Sequence, residues 1–374
     1  MILPDIRDWY ENKNDKFGYY LVGDYKTYSK LDAIELSRSL HKPDPKWIFN
    51  DTIFSAYDWL QEPVESLKEL YTARAQQVRR AYDYIVLFFS GGADSTNMLQ
   101  AFIQNNIRVD EIVVFVQEEG DKNPNSFFNV ESTQVALPFL RKMSHLLEGT
   151  KISKIDLTNI VINMAQNNTV DLLYSRNAIF SPLAEAITRI RDYYSTWNEL
   201  SEQGKKVVFL WGHQKPSVRK LSKSEYEFYI EDRLDFCVSS RTQMLNREHE
   251  YNELFYSSPD CVPLLIKQSH VFKRWLAINN NVTLTVNTLF LLNRLIYPPE
   301  WWDASTWSKG KPKSHIFTPS DIPLVSSNTD IGNFYLKQRN AIISKFGEDW
   351  YDSASENLIE KIKPIRSRGY SLNA

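Results

Sequence analysis

Tyr84 to Phe89 is an unbroken apolar run, and a second one, Ile112 to Val116, follows it after a stretch of helical length. A strand that is apolar at every position has to be covered on both faces, which is the condition of a parallel sheet inside an α/β protein. Neighbouring parallel strands cannot be joined by a tight turn, so the chain between them must cross over. Ser95 to Asn105 has the composition of the crossover helix, and strand, helix and strand together form a βαβ unit. Ile152 to Leu157 and Val207 to Trp211 read as further strands, with helices expected over Glu131–Leu147 and Ala178–Tyr194. The fold class expected is α/β, a doubly wound parallel sheet.

Three sections follow from this frame. Residues 1–61 are aromatic-rich and read as a small α+β extension. Tyr19–Val22 and Tyr25–Tyr28 flank a Gly23-Asp24 turn as a hairpin, a helix is expected over Lys30–Leu40, and Lys42-Pro43-Asp44-Pro45 ends it. Residues 62–236 hold the α/β domain, opened by a helix with Pro63 at its first position and Val64, Leu67, Leu70, Ala75 and Val78 on its apolar face. Residues 237–374 read as mainly helical, because the strong strand runs stop after Arg241 and segments such as Val271–Ile278 and Leu284–Leu295 take over. The basic stretch Lys361–Arg368 reads as solvated surface, with contact to nucleic acid as the weaker alternative.

Immediately after the first strand stands Ser90-Gly91-Gly92-Ala93-Asp94-Ser95-Thr96. Paired glycines let a chain turn sharply with no Cβ in the way of an approaching phosphate. Backbone N–H groups of such a loop, and of the helix that begins there, make a concavity for anions. Ser90, Ser95 and Thr96 add hydroxyls, and Asp94 adds a carboxylate able to reach a magnesium ion held by phosphates. The lysine of a Walker loop is missing between Phe89 and Asn97, so transfer of a terminal phosphoryl group is not expected.

Ser-Gly-Gly-x-Asp-Ser after a hydrophobic strand resembles the PP-loop of the N-type ATP pyrophosphatases. That superfamily includes asparagine synthetase, GMP synthetase, NAD synthetase, argininosuccinate synthetase and the 7-cyano-7-deazaguanine synthases. The resemblance covers the middle section and implies a HUP-like PP-loop domain that binds ATP and Mg2+. It implies cleavage between the α and β phosphates, with a substrate oxygen adenylated and AMP then displaced by ammonia or another amine. Tyr174-Ser175-Arg176-Asn177 before a helix is similar to the Arg-Asn helix start of the 7-cyano-7-deazaguanine synthases, which would set Arg176 on a phosphate or the adenylate. Trp211-Gly212-His213 ends a later strand where related enzymes carry a Gly-His pair, so Gly212 and His213 are expected to face the nucleotide. Val116 and Gln117 hold the position at which this superfamily seats adenine. The first section and the Tyr71–Tyr84 lead-in also resemble bacteriophage-encoded PP-loop proteins, which would place the chemistry in the host cytoplasm.

Other residues narrow the expectation. Ile2 stands where the glutamine-dependent asparagine synthetases carry a cysteine nucleophile. Cys237 and Cys261, the sole cysteines, cannot supply the zinc cluster of the 7-cyano-7-deazaguanine synthases or a paired-thiol sulfur carrier. With 44 basic against 46 acidic residues the chain is no polybasic nucleic-acid coat. Asp5, Arg7 and Asp8 occupy the place of a signal peptide's apolar region, and Val282–Tyr297 is interrupted by Asn287, Asn293 and Arg294, so a soluble cytoplasmic protein without a membrane span is expected. The functional expectation is an AMP- and pyrophosphate-forming ligase acting on a small molecule, a nucleotide or nucleobase among the candidates. Asp94, Arg176 and His213 would serve as its catalytic residues, while Asp232 and Arg233 more readily read as an exposed ion pair than as substrate contacts. Two alternatives stand beside it: an ATP- or AMP-binding module without turnover, and an enzyme that modifies bases in nucleic acid.

Overall fold

A computed structural model describes residues 13–28, 30–41, 43–119, 129, 131–160, 190, 195–212, 216–222, 224–232, 248–279, 295–301 and 365–373. A 3-10 turn, Lys13–Phe17, leads into strand β1 (Tyr19–Val22), which turns through Gly23-Asp24 into β2 (Tyr25–Thr27). Helix α1 (Lys30–Ser39) and β3 (Lys46–Ile48) follow, and β1 lies between β2 and β3 with antiparallel pairing on both sides. The hairpin and helix expected here are both present. After the short helix α2 (Asp51–Phe54), helix α3 spans Leu67–Ala81.

The start of α3 differs from expectation by several residues. Ser66 is its N-cap and accepts from the Glu69 N–H, while the Glu69 carboxylate accepts from the Ser66 N–H. This reciprocal capping box fixes the start, and Pro63 and the fully exposed Val64 lie before the helix.

Strand β4 (Tyr84–Phe88), helix α4 (Ala93–Ile103) and strand β5 (Glu111–Val116) form the expected βαβ unit. Helix α5 (Leu137–Lys142), strand β6 (Lys151–Asp156), helix α6 (Ser195–Glu202) and strand β7 (Val207–Trp211) come next. The single helix expected over Glu131–Leu147 is instead a π-turn at Ser132–Ala136, then α5, then a 3-10 turn at Ser144–Leu146. Pro138, at the start of α5, has no N–H to give to the preceding turn, which favours the wider winding there. Helix Ala178–Tyr194 falls almost wholly outside the described residues.

Strands β8 (Ser217–Lys220) and β9 (Tyr226–Tyr229) form a hairpin, and strand β10 (Glu250–Leu254) returns to the main sheet beside β7. Helix α7 (Val262–Ile278) packs against α3, and strand β11 (Tyr370–Ser371) closes the small sheet on β9. Helix α7 is the expected Val271–Ile278 segment extended backwards by its first two turns. The α/β sheet thus continues past residue 236, because β10 is its fifth strand. Glu250, Asn252 and Glu253 in that strand are all buried, so it lacks the apolar signature by which the other strands were recognised.

The main sheet has five strands, all parallel, in the order β10-β7-β4-β5-β6. In chain order the first strand, β4, lies at the centre, the next two are added on one side and the last two on the other. Alternate residues of the apolar runs serve opposite faces. Ile85, Leu87, Ile112, Val114, Val208 and Leu210 pack under α3, α4 and α7, while Val86, Phe88, Val113, Phe209 and Trp211 pack with Trp197 of α6. Both faces are therefore covered by helices, which makes the sheet doubly wound. Among the described residues no helix is long and apolar enough to cross a membrane.

Two further contacts tie distant segments to this sheet. Trp59, between α2 and α3, stacks on Phe228 of β9 and on Tyr370 of β11, with ring centroids 4.3 and 4.9 Å apart. A buried charge cluster gathers around Glu253 of β10. Its carboxylate accepts from Lys16 of the first turn, from Arg74 of α3 at 2.8 Å and from the Tyr82 hydroxyl at 2.5 Å. Lys16 also reaches Asp260, and the Gln77 amide donates to the Asp260 carbonyl. Burial alone would push the Glu253 carboxyl up, but the charges of Lys16 and Arg74 outweigh it and hold the group at about 2.

Stability should therefore be lost as pH falls from about 4.5, the ordinary value, towards about 2, since the folded carboxylate resists a proton that the unfolded one accepts. In urea denaturation across that interval, Glu253→Gln should flatten the pH dependence. At neutral pH it should cost roughly 3 kcal/mol, because two buried cations lose one counter-charge and are left to share Asp260.

Candidate functional site

Strand order alone points to one place. Where β5 is added on one side of β4 and β7 on the other, the connections leave in opposite directions and open a crevice beyond the strand carboxyl ends. The Ser90–Ser95 loop follows β4 and Gly212 follows β7, so both arrive at that crevice. They also touch: a Cβ on Gly212 would lie 3.2 Å from the Cα and N of Ser95. Gly212 thus eases the close passage of one loop over the first turn of α4.

Within the loop, the Ser90 N–H donates to Ser95 Oγ at 3.3 Å, the Gly92 N–H to Ser90 Oγ at 3.3 Å, and Ser95 Oγ to the Gly92 carbonyl at 3.2 Å. These bonds are long and weak individually, and together they set the turn. The two glycines have different tasks. Gly91 has φ +73°, and a Cβ there would lie 2.8 Å from the backbone N of Ala136 in the π-turn. Its missing side chain admits a protein segment. Gly92 is the N-cap of α4, at φ −70° and ψ 167°, a conformation open to any residue. Having no side chain, it leaves α4 without a side-chain cap for the first-turn N–H groups that a helix cannot satisfy internally. The Thr96 N–H is spent on the Gly92 carbonyl, and Thr96 and Ser95 are buried, whereas Ser90 and Ala93 are half-buried.

Asp94 stands at the second position of α4, half-buried. Its Oδ1 accepts from the hydroxyl of Tyr297, and its carbonyl accepts from the hydroxyl of Tyr256 at 2.6 Å. Asn97 in turn donates to the Tyr256 hydroxyl at 3.1 Å. Burial, and next the Asp94 charge, push the Tyr297 phenol well above its ordinary range; burial and then Tyr71 do the same for Tyr256. Both rings remain hydroxyl donors at any physiological pH. Neither tyrosine stands out by sequence pattern: Tyr256 follows the polar strand β10, and Tyr297 lies in a Pro-containing loop.

Asp94 can hold a cation only with help from the ligand. Among the described residues no group of three or more His, Cys, Asp or Glu side chains comes together. One carboxylate with phosphate oxygens and water is the usual setting for magnesium, and the loop's donor set fits it. A cation would also relieve the opposition between Asp94 and an anion at the helix start.

Val116 ends β5 in register with Asp156 of β6, and its carbonyl accepts from Leu157. Gln117 comes next. Its backbone N–H donates to Asn129 Oδ1 at 2.8 Å, and Asn129 Nδ2 donates to its carbonyl at 3.4 Å. Gln117 is 1% exposed, and among the described residues neither the nitrogen nor the oxygen of its carboxamide has a hydrogen-bond partner. Arg176, His213 and Arg233 lie outside the described residues. Asp232 is buried rather than exposed, and its oxygens accept from the Tyr20 hydroxyl at 2.9 Å and the Ile365 N–H at 2.6 Å. In the described part of the basic stretch, Arg366 lies beside Glu231 and over the Tyr229 ring, and Arg368 donates to Ser55 Oγ.

No protein-family model matches the chain, and no curated protein matches it in sequence.

Gly91→Ala should lower stability by roughly 1–3 kcal/mol or more in thermal denaturation, from left-handed strain joined to the clash with Ala136. Gly92→Ala, at an ordinary φ, should leave the melting temperature within a few degrees. Gln117→Met should be neutral or stabilising by up to about 1 kcal/mol in the absence of ligand, since it removes a buried amide that has no partner.

Proposed function

We propose that this chain is an ATP-binding enzyme of the PP-loop ATP pyrophosphatase type, with a HUP-like middle domain. The observation that carries the reading is the position of Ser90–Ser95: a Gly-Gly loop at the switch point of a five-stranded parallel sheet, opening a helix with no side-chain cap. Such a place offers backbone donors and a helix dipole to a polyphosphate. No lysine stands in the loop to neutralise a departing γ-phosphoryl group. The loop is better suited to gripping pyrophosphate as the leaving unit.

In this reading Ser90, Gly91, Gly92, Ala93, Ser95 and Thr96 cradle the β and γ phosphates. Asp94 holds Mg2+, which when bound screens the charge of the leaving pyrophosphate. An oxygen of a small-molecule substrate attacks the α-phosphorus, the bond to the bridging oxygen breaks, and pyrophosphate departs. Ammonia or another amine then attacks the adenylated carbon, taking the oxygen's place as AMP leaves and a proton is lost from nitrogen. Arg176 and His213 are assigned to the charge that develops at the α-phosphate. Val116 and Gln117 are assigned to the adenine, where the unpartnered Gln117 carboxamide offers a donor and an acceptor side by side.

With ATP labelled at the α-phosphate and a panel of nucleosides, nucleobases and amino acids, label should appear in AMP and never in ADP. Asp94→Ala should lower that turnover by roughly 100-fold while leaving the circular dichroism spectrum unchanged. ADP and inorganic phosphate as products would overturn the reading.

A further inference from the structure

Asp94 is gripped by two tyrosines from segments far along the chain, and this grip has no evident purpose in the fold. Its carboxylate is only half-buried, so water could satisfy it without help. A short carboxylate turns on two rotatable bonds. Tyr297 restrains them by donating to Oδ1, while Tyr256 fixes the same residue's backbone through its carbonyl.

The donor rests on a firm base of its own. Tyr297 is 4% exposed and lies beside the Tyr256 ring, at 6.2 Å between centroids. Next to it, the Ile296 carbonyl accepts from the Tyr71 hydroxyl of α3 at 2.8 Å, and that hydroxyl accepts from Gln268 of α7 at 2.7 Å. Trp301, also buried, packs its ring 5.9 Å from Tyr71. Segment 295–301 is thus pinned to α3 through Tyr71, and it carries the Tyr297 hydroxyl to the loop.

We propose that Tyr297 is the positioning residue for Asp94, holding Oδ1 so that the carboxylate presents one fixed geometry to a phosphate-bound magnesium ion. This rests on the reading of the loop as an Mg·ATP site. Carboxylates that bind metals are commonly oriented by a second hydrogen-bonding group, whose loss weakens the metal by roughly 10–100-fold.

The test is calorimetric titration of Mg2+ into the full chain with ATP present, for the wild type, Tyr297→Phe, Asp94→Asn and the double variant. Phenylalanine keeps the packing against Tyr256 and removes the hydroxyl; Tyr297→Leu serves if that protein does not fold. Tyr297→Phe should weaken Mg2+ by at least about tenfold. In the Asp94→Asn background the same change should add less than about twofold, because the two residues act as one unit. Magnesium affinity unchanged or tighter in Tyr297→Phe, or an equal loss in both backgrounds, would overturn the positioning role while leaving the nucleotide site intact. A wild type that binds no Mg·ATP would instead remove the site itself, and the positioning role with it.

Discussion

Glu253 is the fixed point of this molecule. A carboxylate buried in a strand is tolerable only when opposite charge is brought to it, and here the charge comes from two directions: Lys16 near the start of the chain and Arg74 from the helix before the sheet. Each partner draws its own segment inward, so the first turn, α3 and β10 are held by one electrostatic necessity. Apolar packing could hold these segments together without fixing their register. A buried ion pair with 2.8 Å geometry fixes register as well as proximity.

That registration reaches the loop. Tyr256 follows Glu253 by three residues, just beyond the end of β10, and its hydroxyl meets the carbonyl of Asp94. From the other side, the π-turn at Ala136 presses on Gly91, and Gly212 lies across the first turn of α4. The loop is accordingly built as a rigid cradle, clamped on three sides by backbone or hydroxyl contacts, with its helix start left open. Under the proposed function, preorganised donors of this kind would not have to be rearranged when a phosphate arrives.

The sheet's centre was legible in the sequence because β4, β5 and β7 are apolar on both faces, and nothing but burial on both sides accommodates such runs. The loop was legible because Gly-Gly-x-Asp-Ser follows one of those strands. Strand β10 was not legible, since its buried residues are charged or polar and their partners lie far away in the chain. The start of α3 was, in fact, written in Ser66-Leu67-Lys68-Glu69, but Pro63 is a competing start signal and lies earlier. The glycines were visible while their separate tasks were not: Gly91 makes room for Ala136, a neighbour that sequence spacing does not reveal. Asp232 beside Arg233 has the look of an exposed ion pair, yet it is buried, with a tyrosine of the first hairpin and the backbone amide of Ile365 among its partners.

The cluster of Trp59 with Phe228 and Tyr370 carries a consequence for how the chain is made. Trp59 emerges early in synthesis and Tyr370 more than three hundred residues later, so this contact of the indole cannot form until nearly all of the chain in between has left the ribosome. Contacts of such span close slowly and late, after the local helices and the central strands have formed. Until then the nascent small sheet presents an uncovered strand edge at β9 and an aromatic surface beside it, both open to association with other chains. The short strand at Tyr370–Ser371 is therefore the clasp that ends this exposure, and the time before it closes is the period in which a helper protein has something to hold.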